Sequence, residues 1–423
     1  MKKYCNKTTI FGIIIAIIIS STSIYIYNYK TTKNNNALGN LTIAQKLEDF
    51  RYMYNILEEN YVYFDVNKRL NGYDWLANKE EFEKSIMKTK DNFEFFIVLS
   101  RILKKLNDGH TSLYFPTYVS EIRDSYNKAN ENSRFDPWLK ILNDKSVINK
   151  NLQWEKILKK NNIENFYSSK NEDDSYSNDN FETNIIEDGK IAYLKIKEMK
   201  PIYRTENQIN DVYSFFKDIK DYPYLIIDIR GNTGGTDNCW INIMEHLIDQ
   251  KISLNSTLVF KGEKYPQYFY KQSGADFSPI DELASNENYP EEIKNKFKYY
   301  TERIIDLEPN NSVGFKGKIF LLVDHYVFSS AEAFASFAKG TNLATLIGEK
   351  TGGDGIGANP LIMSLPNSGL IVGFVGIMGL NPDGTSNMEM KTTPDIELNV
   401  TYLGEEGVIN RTVDIIHETE KNK

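Results

Sequence analysis

The spacing of apolar side chains divides the chain into three kinds of stretch. Ile10 to Tyr27 is a continuous apolar run, uncharged over 18 residues. From Thr42 to about Leu106 apolar residues return every three or four positions. Leu47, Phe50, Tyr54 and Leu57 share one helical face, and Phe82, Ile86, Phe93, Phe96 and Ile97 continue it. From Lys190 onward the pattern changes to short apolar runs separated by helical periods. Residues 191–196, 224–228, 318–323 and 344–348 read as strands. Between them, Ile209 to Ile219 suits an amphipathic helix, and Trp240, Ile243, Met244 and Leu247 mark another. A third runs from Ala331 to Lys339, with Gly340 as its expected C-terminal stop. The alternation predicts an α/β core behind an N-terminal helical subdomain.

The polar stretches set the boundaries. Residues 1–30 read as a signal anchor or a signal peptide, and 31–41 as a polar, Asn-rich tether. Residues 42–185 form the helical region, which ends in a mobile polar segment from Ser168 to Asn184. The core is expected over 186–410, with an aromatic and polar insertion or lid at 258–312 and a polar tail at 411–423. No glycine occurs between His110 and Gly189, so a peptide-carboxylate-binding module of the PDZ type lacks the Gly-containing loop it needs.

Lys2, Lys3 and Lys7 precede the first apolar run. As a helix it would span about 27 Å, close to the hydrocarbon thickness of a bilayer. The basic flank predicts a cytoplasmic N-terminus with everything after it outside, held by a membrane-spanning helix. If signal peptidase cuts at Ser20–Ser23, the product is secreted instead. Net charge is −8 over 423 residues, with a pI near 5.4, which argues against a nucleic-acid surface. Two cysteines give no disulfide framework. The four histidines lack zinc-ligand spacing, so no metal and no cofactor is expected.

Against that background the chemistry falls on three places. Ser329 and Ser330 stand where a strand turns into a helix N-terminus, where free backbone N–H groups favour developing negative charge. Ser329-x-x-Glu332 is also the pattern of a capping box. His110, in Asn107-Asp108-Gly109-His110-Thr111, lies on a turn between a helix and a strand. After the strand ending at Asp228 comes Arg230-Gly231-Asn232-Thr233-Gly234-Gly235. It matches neither nucleotide-binding glycine pattern, and its glycines suit a cleft lined by backbone N–H groups.

Taken in order, several motifs resemble the tail-specific or carboxyl-terminal processing serine peptidases and the related tricorn-core peptidases. They are Asp108-Gly109-His110-Thr111, residues 226–235, residues 323–332, Gly348-Glu349-Lys350-Thr351-Gly352-Gly353 and Thr393-Pro394-Asp395-Ile396. The resemblance covers roughly residues 90–115 and 186–400. It implies a ClpP/crotonase-type core, a peptide or polypeptide substrate and an acyl-enzyme mechanism. Ser329 would be the nucleophile, with backbone N–H groups of Ser330 and of Gly234 or Gly235 forming the oxyanion hole. One branch uses a lysine 25 residues after the serine, and that position holds Asp354 here. The tricorn-like branch uses a histidine at the position of His110, which makes His110 the expected base. Glu389, on a strand expected near Met388, is the expected acidic partner.

Three other readings remain at this stage. The same scaffold carries non-catalytic ligand-binding members, of the interphotoreceptor retinoid-binding kind. A Ser–Lys dyad would use Lys350, and an adhesion protein would bring His110 and Ser329 into no common cleft.

Overall fold

The computed structural model describes residues 38–130, 133–163, 179–271 and 274–421. The apolar run at Ile10–Tyr27 lies outside them. Among the described residues no helix is long and apolar enough to cross a membrane.

A six-stranded sheet organises the second half of the chain. Its order is Ile396–Glu397, Thr345–Gly348, Lys318–Val323, Tyr224–Asp228, Ile191–Ile196, Phe181–Glu187. All neighbours are parallel except the last pair. Parallel strands buried on both faces read as unbroken apolar runs, which is why these strands were legible. Within each run the side chains still alternate between faces. Leu225, Ile227, Leu321 and Val323 pack on one face beneath the helices Glu206–Asp218, Asp237–Glu245 and Ser330–Thr341. Tyr224, Ile226, Phe320 and Leu322 face the other way, where Val408, Ile415 and Ile416 of the helix Val400–Lys421 cover them. Residues 411–421 of the expected polar tail are therefore the end of a docked helix. Likewise residues 181–184, expected at the end of a mobile segment, belong to Phe181–Glu187, the edge strand of this sheet.

Of two smaller sheets, the first joins the first half of the chain to the second. Ser112–Leu113 pairs with Ile371–Phe374, which pairs with Leu361–Ser364. Ile252–Phe260 pairs over its length with Tyr299–Leu307, flanked by Met378–Gly379 and Ser278–Pro279. The region 258–312 is thus no separate lid. Leu258, Val259, Phe260, Phe269 and Tyr270 belong to the same apolar core as Phe50, Leu57, Phe96, Trp138 and Trp154 from the helical region. That region comprises helices at Ile43–Asn60, Phe64–Asn71, Lys79–Met87, Asn92–Lys104, Pro116–Lys128, Asp136–Leu142 and Lys145–Lys160. It fills the space beside the sheet rather than standing apart from it.

Candidate active site

The strand Lys318–Val323 delivers the chain to the serine pair, and Ser329 occupies the turn before the helix Ser330–Thr341. Its backbone sits at φ 55°, ψ −125°, a region a side chain rarely adopts. Such a turn holds the hydroxyl out from the elbow instead of folding it over the helix end. Accordingly Ser329 makes no cap hydrogen bond. Glu332 does not reach back either: its carboxylate accepts from Asn387 Nδ2 at 2.8 Å and Thr392 Oγ1 at 2.7 Å. The capping-box reading therefore fails on both halves. The helix also runs past Gly340 to Thr341 and ends on Asn342 in the left-handed conformation, which asparagine tolerates better than most residues.

His110 reaches this serine from 219 positions upstream, with Nε2 3.1 Å from Ser329 Oγ. Its loop is tied by Asp108, whose Oδ1 accepts from the N–H groups of His110 (2.9 Å) and Thr111 (2.6 Å). Beyond that loop, Ser112–Leu113 is stitched to Val372 and Gly373. The imidazole stacks on Phe328, the residue before the serine, with ring centres 4.6 Å apart. On its far side Nδ1 lies 2.5 Å from Asp354 Oδ2. An ionised carboxylate only accepts, so Nδ1 carries the hydrogen and Nε2 is left to accept from the serine. Burial pushes the imidazole's pKa down. The charge and hydrogen bond of Asp354, with a smaller contribution from Asp108, outweigh this and raise it above the ordinary value.

Asp354 replaces Glu389 as the carboxylate beside the histidine. It is buried, and its segment runs along the elbow through bonds from Gly352 N to Val327 O (2.7 Å) and from Ser329 N to Gly353 O (3.3 Å). Gly355 follows because a Cβ there would lie 2.3 Å from the Ala333 nitrogen. Asp354 Oδ1 accepts from the Tyr63 hydroxyl at 2.6 Å. Glu389 is not on a strand but on a short helical turn, Asn387–Met390. It is held by Arg69 through paired bonds of 2.8 and 2.7 Å, and the same guanidinium holds Glu292. The planar fork of arginine matches two carboxylates there, which leaves Glu389 committed elsewhere. Lys350 is exposed, and no hydrogen bond links it to Ser329.

The glycine loop lies against the nucleophile. A Cβ on Gly234 would sit 2.8 Å from both Ser329 Cβ and the Ser330 nitrogen, so only glycine fits. The Gly234 N–H is used by Asn232 Oδ1 at 2.9 Å. Among the described residues no acceptor takes the N–H of Ser330 or of Gly235.

Asp354 and Tyr63 were the residues that sequence reading missed. The first had a faint signal, a lone carboxylate in Gly352-Gly353-Asp354-Gly355 at the position of the family's lysine. Tyr63, in Tyr61-Val62-Tyr63-Phe64, had none.

A hydroxyl, an imidazole and a carboxylate in series beside unclaimed backbone N–H groups form the working parts of a serine hydrolase. Residues 190–398 match Peptidase family S41. The chain therefore carries a domain of that family and is a serine-type peptidase. No curated protein matches it. Among solved structures it is similar to a candidate peptidase from Parabacteroides merdae. That match has 17% identity and a TM-score of 0.54, covering 88% of this chain and 96% of the other. It is also similar to mature CPAF complexed with lactacystin, at 12% identity and a TM-score of 0.56, covering 90% and 99%. At these identities the likeness is one of fold.

Proposed function

We propose that the chain is an endopeptidase that cleaves through an acyl-enzyme, with Ser329 as nucleophile, His110 as general base and Asp354 as the carboxylate that orients it. The observation that carries this reading is the continuous contact from Asp354 Oδ2 through His110 to Ser329 Oγ, at 2.5 and 3.1 Å. His110 Nε2 takes the hydroxyl proton as Ser329 Oγ bonds to the peptide carbonyl carbon. The tetrahedral oxygen is received by the N–H groups of Ser330 and Gly235, the two left unclaimed. His110 then returns the proton to the leaving amine. Water, activated by the same imidazole, breaks the ester and frees Ser329.

Ser329→Ala and His110→Ala should each lower hydrolysis of an unstructured polypeptide by roughly 10³-fold or more, with unchanged circular dichroism. Wild-type turnover in His110→Ala would remove this assignment. If Lys350→Ala alone abolished turnover, the Ser–Lys reading would replace it. A folded wild-type chain that binds peptides without cleaving any would favour the ligand-binding reading.

The apolar run at Ile10–Tyr27 and its lysine flank support a further proposal, that the peptidase region works outside the cytoplasm on exported or surface polypeptides. Full-length protein should fractionate with membranes, and external protease should reach it in intact cells. Recovery in the cytosol would contradict this.

A further inference from the structure

Tyr63 touches neither serine nor histidine, yet it meets the one group that decides how the histidine behaves. It lies between the helices Ile43–Asn60 and Phe64–Asn71, outside the matched family domain. Its side chain is almost fully buried, and its ring meets that of Tyr61 edge-on at 6.1 Å. The hydroxyl donates to Asp354 Oδ1 at 2.6 Å while Oδ2 faces His110 at 2.5 Å. Each carboxylate oxygen therefore has its own short, charge-assisted bond, one to a neutral donor and one to the imidazole.

We propose that Tyr63 is a positioning residue for the Asp354 carboxylate, fixing which oxygen faces His110 and tempering the imidazole's hold on its proton. This rests on the Ser329–His110–Asp354 reading above. The physical reason is charge. With His110 neutral, the His110–Asp354 pair carries a net negative charge; with His110 protonated, it carries none. A donor on Oδ1 stabilises the negative state more, so it lowers the pH at which the pair takes up a proton. A lysine or arginine in its place would cancel the carboxylate's charge, whereas a phenol leaves that charge available to the imidazole. Burial and the Asp354 charge both hold the Tyr63 phenol well above its ordinary pKa, so it remains a donor at any working pH. The other titratable groups acting on this cluster are Asp108, Tyr61 and Tyr270. Asp108 is held by the N–H groups of His110 and Thr111. Burial pushes the Asp108, Tyr61 and Tyr270 values up, so none of the three gains charge through burial.

The test is Tyr63→Phe in the full chain, which keeps the ring and its packing and removes only the hydroxyl. Turnover should fall roughly tenfold with KM unchanged within about twofold. The acid limb of kcat/KM should move to higher pH by about half a unit to one unit. Should Tyr63→Phe fold poorly, 3-fluorotyrosine placed at position 63 keeps the shape and strengthens the donor, and the limb should then move to lower pH. A Tyr63→Phe enzyme with the wild-type rate and limb overturns the proposal. So does a loss of rate with an unmoved limb, which would mean packing alone. Asp354→Asn and His110→Ala are measured beside it. If those two lose activity while Tyr63→Phe does not, this inference alone fails. If His110→Ala keeps wild-type activity, the reading beneath it fails as well.

Discussion

The 2.5 Å contact between His110 and Asp354 sets the sign of the pH dependence. The reaction needs neutral imidazole, and the raised pKa of His110 means that activity is lost as pH falls through a midpoint above about 6.5. Asp354→Asn removes the charge that raises this value and leaves the desolvation that lowers it. The midpoint should move down, while turnover at its optimum drops by roughly 10³- to 10⁴-fold. Glu389→Gln should leave the midpoint where it is, because Glu389 answers to Arg69; a pH–rate profile of the two variants separates them. A second buried carboxyl acts on stability instead. Burial raises the pKa of Glu332 to about 7 in spite of its bonds with Thr392 and Asn387. The folded state therefore holds a proton that the unfolded chain releases near pH 4.5, and the stability tied to it is lost as pH rises through 7. The melting temperature of the wild type should fall more steeply between pH 5 and 8 than that of Glu332→Gln, a difference on the order of 3 kcal/mol. Equal slopes would contradict it. At this scale the serine and the histidine are legible, because Ser329 sits in a turn before a helix start and His110 in a turn between a helix and a strand. The carboxylate is not: Asp354 and His110 are 244 positions apart, and only folding shows which acid is spare.

At the scale of elements, the site depends on a strand-to-helix elbow whose neighbours are held from outside it. The turn between Leu361–Ser364 and Ile371–Phe374 is fixed by Asp49 of the helix Ile43–Asn60. Its two carboxylate oxygens take the N–H groups of Asn367 at 2.7 Å and Ser368 at 2.8 Å, and the group is fully buried. Asp49→Ala would strand those donors. Urea titration should show a loss of about 2–4 kcal/mol; a loss under 1 kcal/mol would mean that the hairpin holds itself. Strands of the large sheet and helices with a clear apolar face were readable from spacing alone. The errors came where a short segment is decided by its neighbours. Met388-Glu389, read as strand, lie on the helical turn Asn387–Met390, and residues 181–184, read as the end of mobile chain, lie on an edge strand, because neither period nor composition reports an edge pairing.

At the scale of the molecule, the division into a helical region and a peptidase core is one of sequence pattern, not of packing. Leu57, Trp154, Phe260 and Phe374 share a single core. His110 and Tyr63 lie outside residues 190–398, whereas Ser329 and Asp354 lie within them. The site is therefore complete only when both halves are folded together. Tryptophan fluorescence, far-ultraviolet circular dichroism and catalytic activity should fall at the same urea concentration. Activity lost well before the spectroscopic change would show that the halves separate. The most direct measurement of the central claim is mass mapping of full-length protein after reaction with a fluorophosphonate. The expected result is one adduct, on Ser329, formed by the wild type and nearly absent from His110→Ala. An adduct on another residue, or equal labelling of Ser329 in the His110→Ala protein, would contradict it.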